Sequence, residues 1–161
     1  MTEPPVVNAS PLIYLGHVGL THLLQGAGTP VLVTKTVAGE IRRRGRLDPT
    51  AQILSSTSWL EEVEPVIERS EVAFWDLGPG ETSVLSWALQ HPGCLAILDD
   101  RAARRCAQAL GIPLIGTLGL VLRAKHQGQV AAARPILRKL RDAGMYLSDR
   151  ILERALGLVG E

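Results

Sequence analysis

Short runs of aliphatic and β-branched residues recur between stretches of helical periodicity, and this alternation restricts the fold more than any other feature of the chain. Val6-Val7, Val31-Leu32-Val33, residues 95–98 and Pro113-Leu114-Ile115 are too short and too uniformly apolar for amphipathic helices, and they read as buried strands. Between them, Leu12, Ile13, Leu15, Leu20, Leu23 and Leu24 form a helical stretch broken by Gly16 and Gly19, with Ser10 as N-cap and Pro11 in the first turn. Residues 35–44 predict a helix ending near Gly45, and Asp48-Pro49 opens another toward residue 58. Gly78-Pro79-Gly80 breaks the chain before a helix over 81–90. Ala102, Ala103, Cys106, Ala107 and Leu110 share one face of a helix closed by Gly111. An apolar helix follows Gly116-Thr117 to about residue 125, and two more cover 135–143 and 148–158. Residues 59–67 have mixed periodicity and hold a further strand candidate, for which Pro65 argues an edge position.

Strands alternating with helices imply an α/β fold, a central and mostly parallel sheet flanked by helices. The 161 residues suit a single domain over 1–161, with a helical extension from about 130 to 161. A hydrophobic fraction of 46% is ample for its core, which must be aliphatic because only 4% of residues are aromatic. Lys and Arg number 17 against 16 acids, so no global charge draws nucleic acid, and any attraction must come from local clusters. Cys94 and Cys106 lack metal-ligand spacing and read as buried free thiols. Residues 1–5 show no secretory pattern, and no apolar stretch approaches the ~20 residues of a membrane span, so a reduced cytoplasmic setting without membrane contact is expected.

In open parallel sheets, functional groups gather at the carboxyl ends of strands. Asn8 and Asp99 both stand there, Glu40 lies on the helix after the second strand, Glu81 opens a helix, and Asp100 follows Asp99. Such oxygen-rich clusters suit Mg²⁺ or Mn²⁺, ions that polarise a phosphoryl oxygen and activate water. Each residue also has a purely structural reading. Glu40 is equally a solvated helix carboxylate, and Glu81 a complement to the helix dipole. Asp99 and Asp100 divide naturally into an N-cap and a first-turn charge, and Asn8 suits an Asx-turn.

The segments VVNASPLIYL, TKTVAGEI, LGPGETSVLSWAL and LAILDDRAARRCAQALGIPLIGTLGLVLRAKHQG resemble the PIN-domain family over nearly the whole chain. The closest branch is the small PIN-like proteins, many encoded like VapC-type toxins beside an antitoxin. The resemblance implies a PIN-like three-layer fold and an acidic pocket that binds Mg²⁺ or Mn²⁺ and hydrolyses RNA. By position it assigns catalysis to Glu40, Glu81 and Asp99, with metal contacts from these, Asn8 and Asp100. Ser10 and Thr117 fall where the family lines its pocket. Most nucleolytic PIN domains carry aspartate where this chain has Asn8, although asparagine is familiar in this branch. The neutral amide removes one negative charge and cannot accept a proton, which implies weaker metal binding and lower activity.

Two basic clusters would lie near that pocket and hold RNA phosphates. They are Arg42, Arg43, Arg44 and Arg46 after Glu40, and Arg101, Arg104 and Arg105 on the polar face after Asp99. A solvated face with intrahelical pairs explains them as well. The four histidines show no catalytic pairing. Phe74, Trp75 and Trp87 read as core packing, with base stacking as the alternative, and Ile151, Leu152, Ala155, Leu156 and Val159 as a stripe that caps the core or meets another subunit. The expectation is a metal-dependent endoribonuclease, homodimeric, acting on RNA and neutralised by a cognate antitoxin protein. An impaired PIN module that binds RNA or a protein is the alternative. A receiver-type reading of Asp99-Asp100 shares the fold class but lacks a convincing phosphoacceptor with a downstream catalytic lysine.

Overall fold

The computed structural model describes residues 2–64 and 66–161, and a five-stranded sheet runs through its centre. The strands are β1 (Val6–Val7), β2 (Val31–Thr34), β3 (Leu60–Val63), β4 (Ala96–Ile97) and β5 (Leu114–Ile115). They lie in the order β3-β2-β1-β4-β5, and every pairing is parallel. Val6 sits opposite Leu32 on one side and Ala96 on the other, and Val7 opposite Ile97. Both faces of the sheet are covered, so the residues of β1, β2 and β4 are all buried, which is why they read as uniform apolar runs. β3 takes the edge and exposes Glu61 and Glu62; Pro65, the residue that suggested this, lies outside the described residues.

The order places β2 and β3 on one side of β1 and β4 and β5 on the other. The crevice at the carboxyl ends of β1 and β4 is therefore the topological switch point, where open α/β sheets bind ligands. Asn8 follows β1 directly and Asp99 stands two residues beyond β4.

The helices are α1 (Ala9–His17), α2 (Lys35–Arg42), α3 (Pro49–Ser56), α4 (Ser70–Ala73), α5 (Pro79–Gln90), α6 (Arg101–Ala109), α7 (Thr117–His126), α8 (Arg134–Asp142) and α9 (Asp149–Leu158), with a 3₁₀ helix at Thr21–Ala27. α5 packs on β1, β2 and β4 and against α2 and α6, which makes it the element from which the site is organised. It begins at Pro79, two residues earlier than the glycine pattern indicates, because a proline in the first helical position lacks only an N–H that would have no helical partner. α1 likewise begins at Ala9, so Asn8 and not Ser10 is its cap residue. α4 is too short to leave a periodic signal.

Three aromatic and apolar readings change. Phe74 is 92% exposed and Trp75 38%, so neither is core, whereas Trp87 packs on the core as expected, half-buried and stacked on His91. Ala102 is exposed, leaving Ala103, Cys106 and Ala107 as the buried face of α6. The C-terminal stripe is used within the chain: Leu152 and Leu156 join Leu137 and Leu140 in the core that contains Leu12, Leu85, Ile97 and Leu98. Ile151 remains exposed. Both cysteines are free and buried, and burial pushes the Cys94 thiol up to about 11. Among the described residues, no helix is long and apolar enough to cross a membrane.

Candidate functional site

Asn8 is buried, and its side chain caps nothing. Its amide nitrogen donates instead to Glu81 Oε1 at 3.1 Å, across 73 residues of sequence. The amide oxygen is left buried without a hydrogen-bond partner. An orphaned acceptor of this kind is costly unless a donor or cation reaches it.

Glu81 stands in the first turn of α5, where the helix dipole favours negative charge. The backbone amide of Gly80 in the same turn favours the charged form of Glu40 of α2. The glycines here leave room for the carboxylates where they stand. A Cβ on Gly80 would lie 2.7 Å from Glu40 Oε1, and one on Gly78 would lie 2.6 Å from Glu81 Oε2. Burial raises the Glu40 pKa, and repulsion from Glu81 raises it further, while Arg43 and the Gly80 amide oppose the shift. The two carboxylates are thus near enough to repel, a pairing that wants a cation.

A relay of hydroxyls fixes α2 against α5. The Val37 amide donates to Thr34 Oγ1, and Ser83 Oγ gives its proton to the Gly80 carbonyl at 2.7 Å. Thr34 must therefore be the donor in its 2.7 Å bond with Ser83. Both residues are buried, and together they position the turn that carries Gly80 and Glu81 relative to Glu40.

Asp99 is held by the start of α7. Thr117 donates to it twice, from its amide to Oδ1 at 2.7 Å and from its hydroxyl to Oδ2 at 2.6 Å. Burial raises the Asp99 pKa against these two bonds and against the nearby charge of Arg104. Asp100 turns away to cap α6, accepting from the Ala103 amide at 2.9 Å. Arg104 donates from Nη1 to the Leu98 carbonyl at 2.9 Å. Room for this comes from Gly116, whose missing Cβ would stand 2.7 Å from that nitrogen and 3.0 Å from Asp99 Oδ1. Ser10, Glu81, Asp99, Asp100 and Arg104 line one cleft of about 710 Å³.

A family model described as a PIN domain matches residues 4–161. The chain belongs to the PIN-domain family. No curated protein and no solved structure is matched by the sequence. A PIN domain is a nuclease-type fold, and its members typically use divalent metals.

Within this PIN domain, Asn8, Glu40, Glu81 and Asp99 gather at the switch point, yet they do not close into a compact ligand set. Among the described residues, no group of three His, Cys, Asp or Glu side chains stands close enough to hold a metal ion. Asn8 sits between Glu81 and the end of β1 where a third acid would be expected, and Asp99 is drawn toward Thr117. The donors nevertheless fit a hard divalent cation. All are oxygens, the Asn8 oxygen has no other partner, and three glycines clear space for the carboxylates and Arg104.

The arginines separate. Arg42 pairs with Glu62 and Arg44 with Asp48, both away from the cleft, and Arg46 is exposed. Arg43 is the member of that cluster whose charge reaches Glu40. Arg104 is not on the polar outer face with Arg101 and Arg105 but half-buried in the cleft wall. Sequence reading missed Thr34 and Ser83. A threonine immediately before a helix is an N-cap signal that points to the first, and nothing local points to the second.

Proposed function

We propose that this PIN domain is a metal-dependent endoribonuclease that hydrolyses RNA phosphodiesters and serves as the toxin of a toxin–antitoxin pair. The observation that carries the nuclease reading is the convergence at the switch point of the orphaned Asn8 oxygen, Glu81 and Asp99, with Glu40 beside Glu81. Mg²⁺ or Mn²⁺ would be held by Asn8 Oδ1, Glu81 and Asp99, and it supplies Lewis-acid polarisation and an acidified water. Thr117 keeps Asp99 oriented with two hydrogen bonds, so that carboxylate loses little freedom in use. Glu40, which burial and the neighbouring Glu81 both push toward its protonated form, is suited to receive the proton that an attacking water gives up.

The test is cleavage of varied RNAs by purified protein with Mn²⁺ or Mg²⁺. Activity should disappear with EDTA and in Asp99→Ala; activity that survives either treatment refutes the reading. The toxin role rests on the resemblance to the VapC-like branch. It includes a cytoplasmic location, a homodimer, and an antitoxin that presents Arg or Lys to the acidic cleft. Co-purification with the product of the neighbouring gene and light scattering check these.

A second reading has its own observation. Asn8 and the lack of a three-acid cluster among the described residues favour an impaired module that binds RNA or a protein without cutting. RNA binding without Mn²⁺-dependent cleavage would select it.

A further inference from the structure

The cleft has a second half that the acidic residues do not use. From Asp99 and Arg104 its lining continues onto Leu118 and Leu122 of α7, then onto Met145, Tyr146 and Leu147 between α8 and α9. Both tyrosines of the chain, Tyr14 and Tyr146, line this one cleft. Tyr146 is 85% exposed, and Tyr14 is half-buried with part of its ring packed on the core.

Arg104 stands with the acids in this lining. Arg42, Arg44, Arg69, Arg134 and Arg141 are each matched by a carboxylate. Among the described residues no ion pair reaches Arg104, whose guanidinium spends one donor on the Leu98 carbonyl. A guanidinium has five donors in a fork that matches phosphate oxygens, so the remainder are free for a ligand. An anion beside Arg104 and a flat π-face against an apolar wall are the two features of a nucleotide. The volume of about 710 Å³ suits a ligand of that size.

We propose that this cleft contains a nucleotide subsite built jointly by the sheet-end residues and the C-terminal helices, in which Arg104 holds a backbone phosphate and the adjoining base stacks on Tyr146 against the Leu118–Met145 wall. The subsite rests on the RNA reading above.

The experiment is fluorescence anisotropy in Ca²⁺ with a short labelled RNA and an abasic oligomer of equal length and charge. Wild type binds the RNA more tightly than the abasic oligomer. Tyr146→Ala weakens the RNA about five- to 150-fold, the range for one base stacked on an aromatic ring. It leaves the abasic oligomer unchanged, and Tyr146→Phe restores RNA affinity. Arg104→Gln weakens both oligomers and makes the salt slope shallower by about 0.7, the increment for one phosphate contact on a single strand. Arg104→Lys retains the slope, and Arg154→Gln, which removes an exposed charge from α9, leaves both affinities as they were. The proposal is overturned if Tyr146→Ala matches wild type on RNA, or if Arg104→Gln keeps the wild-type slope while folded. It is also overturned if Tyr146→Ala loses a co-purifying protein with RNA affinity intact, which would assign the wall to that partner. Failure of wild type to bind either oligomer removes the RNA reading itself, and the subsite with it.

Discussion

Thr117→Val isolates the most exacting contact in the site. The threonine is fully buried and its hydroxyl donates to Asp99 Oδ2 at 2.6 Å. Valine fills the same volume without the hydroxyl, so Oδ2 loses its donor in a place that water does not readily reach. A hydrogen bond to a charged group contributes about 1.5–3 kcal/mol. For a chain of this length, about 1 kcal/mol corresponds to roughly 2–4 °C, so the melting temperature should fall by about 3–12 °C. Thr117→Ser keeps the hydroxyl and removes one methyl, a loss of about 1 kcal/mol, and should be the milder change. The sign of the pH dependence follows from Asp99. Its folded pKa is raised, so its contribution to stability is fully present below the ordinary carboxylate value and is lost as pH climbs through the folded one. Removing the hydroxyl raises the folded pKa further, so the valine penalty should be larger at pH 7 than at pH 4. Urea unfolding in EDTA at both pH values measures this on metal-free protein. A valine variant within about 0.5 kcal/mol of wild type at pH 7, or a serine variant just as damaged, would refute the reasoning.

Asn8→Asp turns a donor facing Glu81 into a like charge, so metal-free protein should lose at least about 1.5 kcal/mol. Mn²⁺ affinity should rise about tenfold, equivalent to ~1.4 kcal/mol; calorimetry showing neither change would place Asn8 outside the ion's reach. Gly80→Ala should push the Glu40 carboxylate, the end of a flexible side chain, off the Gly80 amide while the helix gains up to about 1 kcal/mol. Its melting temperature should hold or rise while RNA cleavage falls by roughly tenfold or more, and full activity would show that Glu40 is not needed where it stands. Cys94, pushed up to about 11, should resist iodoacetamide at pH 8 until urea is added. Because its folded form keeps the proton, stability should decline as pH rises from the ordinary thiol value toward 11; equal labelling with and without urea counts against its burial.

Local sequence determined most of the elements and the two strand-end positions. Val6-Val7, Val31-Leu32-Val33 and residues 95–98 are runs that both-sided burial requires, and the residues that follow them, Asn8 and Asp99, inherit their place from chain direction alone. The glycines before Glu81 and Thr117 were visible as breaks, but their steric purpose was not, because the atoms they admit belong to Glu40 and Arg104 from other elements. Tertiary structure decided which aspartate faces the site: Asp99 meets the start of α7, 18 residues on, while Asp100 bonds only within its own turn. It also drew Arg104 into the cleft and left Phe74 in solvent, since exposure depends on which element covers a side chain. Above all it set β4 beside β1, a pairing of strands some 90 residues apart that local propensity does not encode. That neighbour relation creates the switch-point crevice, and with it the meeting of Glu81, held by Asn8, with Asp99 and the two tyrosines, because only long-range packing brings such distant residues to one cleft.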